Sequence, residues 1–80
     1  MHITEGEILT LDNNKEFICL AVKNYKESNY LLLLSNYKPV EIRFAKEIVI
    51  GNSIDLEIIN KQDEKLELME LFKEKLSPNQ

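Results

Sequence analysis

Two apolar runs, residues 17–22 and 30–34, flank the polar segment 23–29. Each is too short for a stable helix and too continuously apolar for a strand with one wet face. They read as paired central β-strands buried on both sides, so the rest of the chain must supply two covers. Upstream, residues 7–11 read as a short first strand after Gly6, and Asp12-Asn13-Asn14-Lys15 offers side chains suited to a tight turn. That turn predicts a hairpin into a second strand over 16–23. Alternation puts Phe17, Cys19 and Ala21 on one face of it and Ile18, Leu20 and Val22 on the other. In a third strand, 30–35, Tyr30, Leu32 and Leu34 oppose Leu31, Leu33 and Ser35.

Residues 36–39 form a second turn, with Pro39 at the start of the next strand because it has no N–H to donate. In that fourth strand, 40–45, Val40, Ile42 and Phe44 point inward while Glu41 and Arg43 point to water. Residues 46–50 continue the extended path with a bend, Ile48 and Ile50 keeping the inward parity. After a turn at 51–53, Ile54, Leu56 and Ile58 alternate with Asp55 and Glu57 as a half-exposed edge strand, where charge discourages further pairing. Asn60 is the predicted N-cap, with Asp63 as its capping-box partner, of a helix over 61–76. Leu68, Met69, Leu71, Phe72 and Leu76 fall in one stripe of that helix, with Leu66 at its margin. Lys65 and Lys75 lie in the stripe on stems that can cover apolar surface. Glu70 and Lys73 make one favourable pair, and Ser77-Pro78 ends the helix before a flexible tail at 77–80.

The pattern predicts an α+β, mainly β, single domain over 1–80: an antiparallel meander of about five strands within 7–59, packed against one C-terminal amphipathic helix. The helix covers one face of the central pair. Curling of the sheet into a partly open barrel, or a dimer contact, is expected to cover the other.

Eighty residues bury roughly 60 % of their unfolded surface, enough for one core without disulfides or metals. The single cysteine excludes an internal disulfide, the N-terminal residues do not resemble a signal peptide, and no apolar run approaches the ~20 residues that span a bilayer. A cytoplasmic protein with no membrane association is expected. The net charge of −4 argues against a partner held mainly by phosphate neutralisation. The charge is uneven, with a mildly basic middle over 15–46 and an acidic stretch over 47–80.

Candidate chemistry is sparse. His2, the only histidine, is expected to sit in a disordered terminus, and without a second one no nucleophilic triad or transition-metal set can be assembled. Cys19 lies mid-strand among apolar neighbours, where a thiol is an inert small hydrophobe with a raised pKa. Gly6 and Gly51 are isolated, so there is no glycine-rich phosphate loop. Asp55, Glu57 and Glu41 share an outward parity, which reads as a solvated face near Arg43 rather than a cation site. No enzyme, cofactor or metal is therefore expected.

Two surfaces remain. Tyr25, Tyr30 and Tyr37 interleave with Lys23, Lys26, Lys38 and Arg43, the composition of a weak RNA or single-stranded DNA binder using Tyr37, Lys38 and Arg43. In a meander, however, the turns at 24–29 and 36–39 lie at opposite ends of the third strand. The helix stripe, which contains Met69 and Phe72, is wide enough to cover the sheet and leave a margin for a protein partner or a second copy. A non-enzymatic protein-interaction module, acting through a sheet edge or that margin, is the expected function, with nucleic-acid binding as the alternative.

The order of Leu11-Asp12 before a polar turn and Phe17, then Tyr30-Leu31-Leu32-Leu33, Glu41-Ile42-Arg43-Phe44, and Leu71-Phe72 in an acidic C-terminal helix resembles the YrzB-like family of small, uncharacterised bacterial proteins. The resemblance covers roughly residues 7–76. The chain departs from the family in having only residues 36–39 where an acidic insertion is usual, and in a less acidic start to the helix. The resemblance implies a cytoplasmic α+β protein without assigned activity, and it carries no functional residue over.

Overall fold

A computed structural model describes residues 2–11, 14–36 and 38–76. Five strands, β1 (Ile8–Thr10), β2 (Glu16–Tyr25), β3 (Ser28–Ser35), β4 (Ile42–Ile50) and β5 (Ser53–Ile58), are followed by α1 (Gln62–Leu71) and α2 (Lys73–Leu76). The strands pair antiparallel in chain order, β1-β2-β3-β4-β5, so the meander is observed with β1 and β5 at its edges. The predicted turn at 12–15 and tail at 77–80 fall partly or wholly outside the described residues.

The central hairpin is tighter than its polar linker suggested. β2 and β3 run on to Tyr25 and from Ser28, leaving a two-residue loop of Lys26 and Glu27. Both loop residues have positive φ, 51° and 65°. That geometry matches the right-handed twist of the flanking strands but is normally taken by Asn and Gly. The registers set by this turn place Leu31, Leu32 and Leu33 at 0 % exposure, so the middle of β3 is buried on both faces.

The two faces carry separate cores. Phe17, Cys19, Leu31, Leu33 and Ala45 form one with Ile3, joined by Leu9 and Leu11 from the β1 side and Ile54, Leu56 and Ile58 from β5. Residues from both edge strands pack on this one core, so the sheet curls: it is a half-barrel, and this is its concave face. Ala21, Leu32, Phe44 and Ile59 form the other core with Leu68 and Phe72 of the helical segment. The two covers are therefore the helix on one side and, on the other, the sheet's own curl with Ile3.

A β-bulge in β2 corrects the predicted alternation. Cys19 pairs with Leu33 and Ala21 with Leu32, leaving Leu20 as the extra residue. Beyond it every side chain changes face, so Ala21 joins the helix-side core and Val22 the concave one. The continuous apolar run 17–22 hides this, because either parity looks equally apolar.

β4 corrects a second expectation. It starts at Ile42 and continues unbroken to Ile50. Phe44 is buried, but Val40 (61 %), Ile42 (43 %) and Ile50 (60 %) are exposed, and the buried residue of the second half is Glu47 at 6 %. Glu41 and Arg43 are half-buried rather than directed to water, and are joined Nη2 to Oε1 at 2.8 Å. The registers also place Glu41 on the face opposite Asp55 and Glu57, so the three acids do not converge. β5 alternates as expected, with Ile54, Leu56 and Ile58 turned inward.

The helix is interrupted. α1 begins after Lys61, which supplies no side-chain cap, and Asp63 Oδ1 instead accepts from the Glu64 N–H. Asn60 is therefore not the N-cap. Phe72 breaks the helical run between α1 and α2, where its ring is fully buried and stacked on Phe44 at 6.0 Å. Leu68 and Phe72 supply the buried part of the stripe, whereas Leu66 and Met69 stay exposed. The expected Glu70–Lys73 pair forms on the surface at 3.2 Å.

Candidate functional site

The N-terminal residues are anchored, contrary to the disorder expected of His2. Glu47 Oε2 accepts from the Ile3 N–H at 2.9 Å, while Oε1 lies 2.8 Å from His2 Nδ1 and accepts from Asn29 Nδ2 at 3.1 Å. With Nδ1–H donating to the carboxylate, the 3.4 Å approach of Asn29 Nδ2 to the same nitrogen pairs two donors and is not a bond. Burial alone pushes the Glu47 carboxyl up, but the Ile3 N–H, His2 and Asn29 together outweigh it and hold it below its ordinary value. Gly6 and Glu7 extend the clasp by exchanging backbone bonds with Cys19, each 2.8 Å long. Ile3 is thereby seated in the concave core.

Beside Ile3 the concave face stays open. A cavity of about 510 Å³ lies between the β1 and β5 sides, with Leu9, Leu11, Phe17, Ile54, Leu56 and Ile58 among its walls and Lys15 and Arg43 at its polar margin. That is within the size range of ligand clefts, roughly 300–1,000 Å³.

The helix-side face has its own uncovered part. Strand register aligns Ile8 with Ile18, Ile18 with Leu34 and Leu34 with Ile42, a row of four apolar residues across four strands. Three interstrand spacings make it roughly 14 Å long. The neighbouring row, Ala21, Leu32 and Phe44, lies beneath Leu68 and Phe72. The outer row is left with Ile8 57 % and Ile42 43 % exposed, and Ile18 and Leu34 half-buried. At its Ile42 end it opens into a seam between β4 and the helix, a cleft of about 520 Å³ whose lining includes Phe44, Ile59, Lys65, Met69 and Leu76.

Of the residues singled out by sequence, Arg43 and Met69 meet at this seam. Phe72 lies beneath it in the core, and Lys38 is exposed on the β3–β4 connection. Tyr37 lies outside the described residues. The aromatic and basic groups of the central turn are already engaged: Tyr25 Oη and Lys26 Nζ both reach Glu67 Oε2, at 3.0 and 3.3 Å. Lys26 also lies 5.3 Å above the Tyr25 ring, and Tyr25 packs edge-on to Tyr30. Glu67 holds the Lys26 ammonium in its charged form and raises its pKa.

Sequence reading missed Glu47 and the four-residue row. Glu47 sits between Lys46 and Ile48 with nothing local to mark it as buried, since its partners come from residues 2, 3 and 29. The row is legible only once registers are known. Cys19 is 1 % exposed, its Sγ is 3.6 Å from the Ala21 carbonyl, and burial raises its pKa. Among the described residues no group of three or more His, Cys, Asp or Glu side chains is placed to hold a metal, and no helix is long and apolar enough to cross a membrane. No protein-family model, curated protein or solved structure matches the chain.

Proposed function

We propose that this chain is a small, non-enzymatic, cytoplasmic protein-interaction module whose partner docks on the outer row Ile8, Ile18, Leu34 and Ile42 and the adjoining seam at Met69. The observation that supports the reading is the partial exposure of four register-aligned apolar residues beside a cleft. Scattered apolar residues on a surface mean little, but contiguous ones bordering a groove mark interaction sites. Lys65 lines the seam without an ion pair, and no acid lines it among the described residues, although the chain as a whole carries −4. The partner is therefore an apolar protein surface rimmed by carboxylates. Kinship with the YrzB-like family belongs to the same proposal and adds no residue to it.

The test is affinity capture with the wild type and an Ile42→Glu, Met69→Glu double variant, with circular dichroism to establish that the variant folds. A protein retained by the wild type and lost by the folded variant supports the reading. A dimer mass by light scattering that reverts to monomer in the variant identifies the partner as a second copy. Identical captured sets, or a wild-type monomer that retains nothing, refute it. Nucleic-acid binding gains little from the geometry, because Lys26 and Arg43 are already paired with Glu67 and Glu41. Salt-sensitive retention of a labelled oligonucleotide at low ionic strength would revive it.

A further inference from the structure

We infer that the outer edge of β5 is an acceptor for an extended segment of another protein in which apolar residues alternate with Lys or Arg. This surface is separate from the outer row. Three features of β5 converge on it.

The first is the backbone. Among the described residues β5 pairs only with β4. The Ile59 N–H donates to the Phe44 carbonyl, which makes that pair a hydrogen-bonded one. Because such pairs alternate along an antiparallel ladder, Glu57 and Asp55 direct their peptide groups at β4. Ile54, Leu56 and Ile58 then direct theirs away from the sheet, at a free edge with no described partner. A strand laid there gains a regular set of backbone bonds, the basis of strand addition in peptide recognition.

The second is the apolar side. The same three residues turn half-buried side chains into the 510 Å³ cavity on the concave face, with Leu9 and Leu11 on its far side. A strand added to β5 directs every other side chain into this space and continues the half-barrel towards β1. Apolar residues are required at those positions.

The third is charge. The intervening side chains, Asp55 and Glu57, are exposed on the opposite face and make no ion pair among the described residues. On the added strand, the positions beside them favour Lys or Arg. The same acids disfavour a second copy of this chain, since pairing two β5 edges would set one acidic row against another.

The probe is a capped seven-residue peptide alternating Lys and Val, titrated into the ¹⁵N-labelled full chain. Expected is saturable binding with amide shifts concentrated at Ile54, Leu56, Ile58 and the residues lining the concave cavity. N-methylation of the peptide amides that face β5 is expected to abolish it. Asp55→Asn with Glu57→Gln, two surface changes that spare the core, is expected to weaken it about threefold to tenfold at low ionic strength. Equal binding of a peptide with the same composition but its four Lys grouped together would mean charge alone, and would overturn the inference. So would equal binding of an alternating Glu and Val peptide, shifts confined to other surfaces, or no binding at millimolar peptide.

Discussion

Replacing Glu47 by Gln tests the strongest long-range tie in the molecule. The carboxylate side chain is 1 % exposed and receives three donors, from Ile3 and His2 at the N-terminal end and from Asn29 at the start of β3. Glutamine keeps the shape but has one acceptor oxygen and an NH₂, so one side of the cluster must set a donor against donors. Hydrogen bonds to a charged group contribute about 1.5–3 kcal/mol, and a buried donor left unmatched costs about 1–3 kcal/mol. His2 is largely exposed and adds little, since water replaces its bond. The expected loss is about 2–4 kcal/mol at pH 7, or a fall in Tm of roughly 10 °C or more for a domain of this size.

Acid pH supplies an independent check. The folded Glu47 carboxyl titrates below its ordinary value, so between the two values the unfolded chain binds more protons than the folded one. Its contribution is complete above the ordinary value of 4.5 and is lost as pH falls through the lower folded value. Glutamine does not titrate, so the stability gap between the wild type and Glu47→Gln narrows over that acid window and stays constant above it. Urea denaturation followed by circular dichroism from pH 3 to pH 7 measures both quantities. A gap within about 0.5 kcal/mol at pH 7, together with parallel pH curves, would show that the clasp does not hold the N-terminal residues to the sheet.

Leu32→Ala removes a fully buried side chain facing Phe44 and the helix, and is expected to cost about 2–5 kcal/mol in denaturant melts. A cost near zero would mean that the helix does not pack on β3. Glu27→Gly relieves a side chain held at φ 65° and is expected to stabilise by about 0.5–1 kcal/mol, less than the full left-handed penalty because glycine loses more backbone freedom on folding. A destabilised variant would show that the two-residue loop does not adopt that conformation.

The sequence by itself determined the meander, its β-before-α order and the face of the helix that packs. These follow from local periodicity. Ile54, Leu56 and Ile58 alternate with acids in one short segment, and Leu68 and Phe72 recur at helical spacing. A period-2 or period-3.6 pattern needs no distant partner to be read. Tertiary structure alone decided where that alternation is broken and what a polar residue faces. The bulge at Leu20 exists because β3 pairs past it, and an apolar run looks the same in either parity. Glu47 is buried because Ile3, His2 and Asn29 converge on it from elsewhere in the chain, which no window around residue 47 contains. Ile42 reads as a core position from its neighbours and is exposed because the helical segment covers Phe44 and stops short of the next row. The surfaces proposed for binding lie where cover ends, the outer row beyond the helix and β5 beyond the last paired strand. Their location depends on how far elements extend over one another, a distance that only the assembled fold sets.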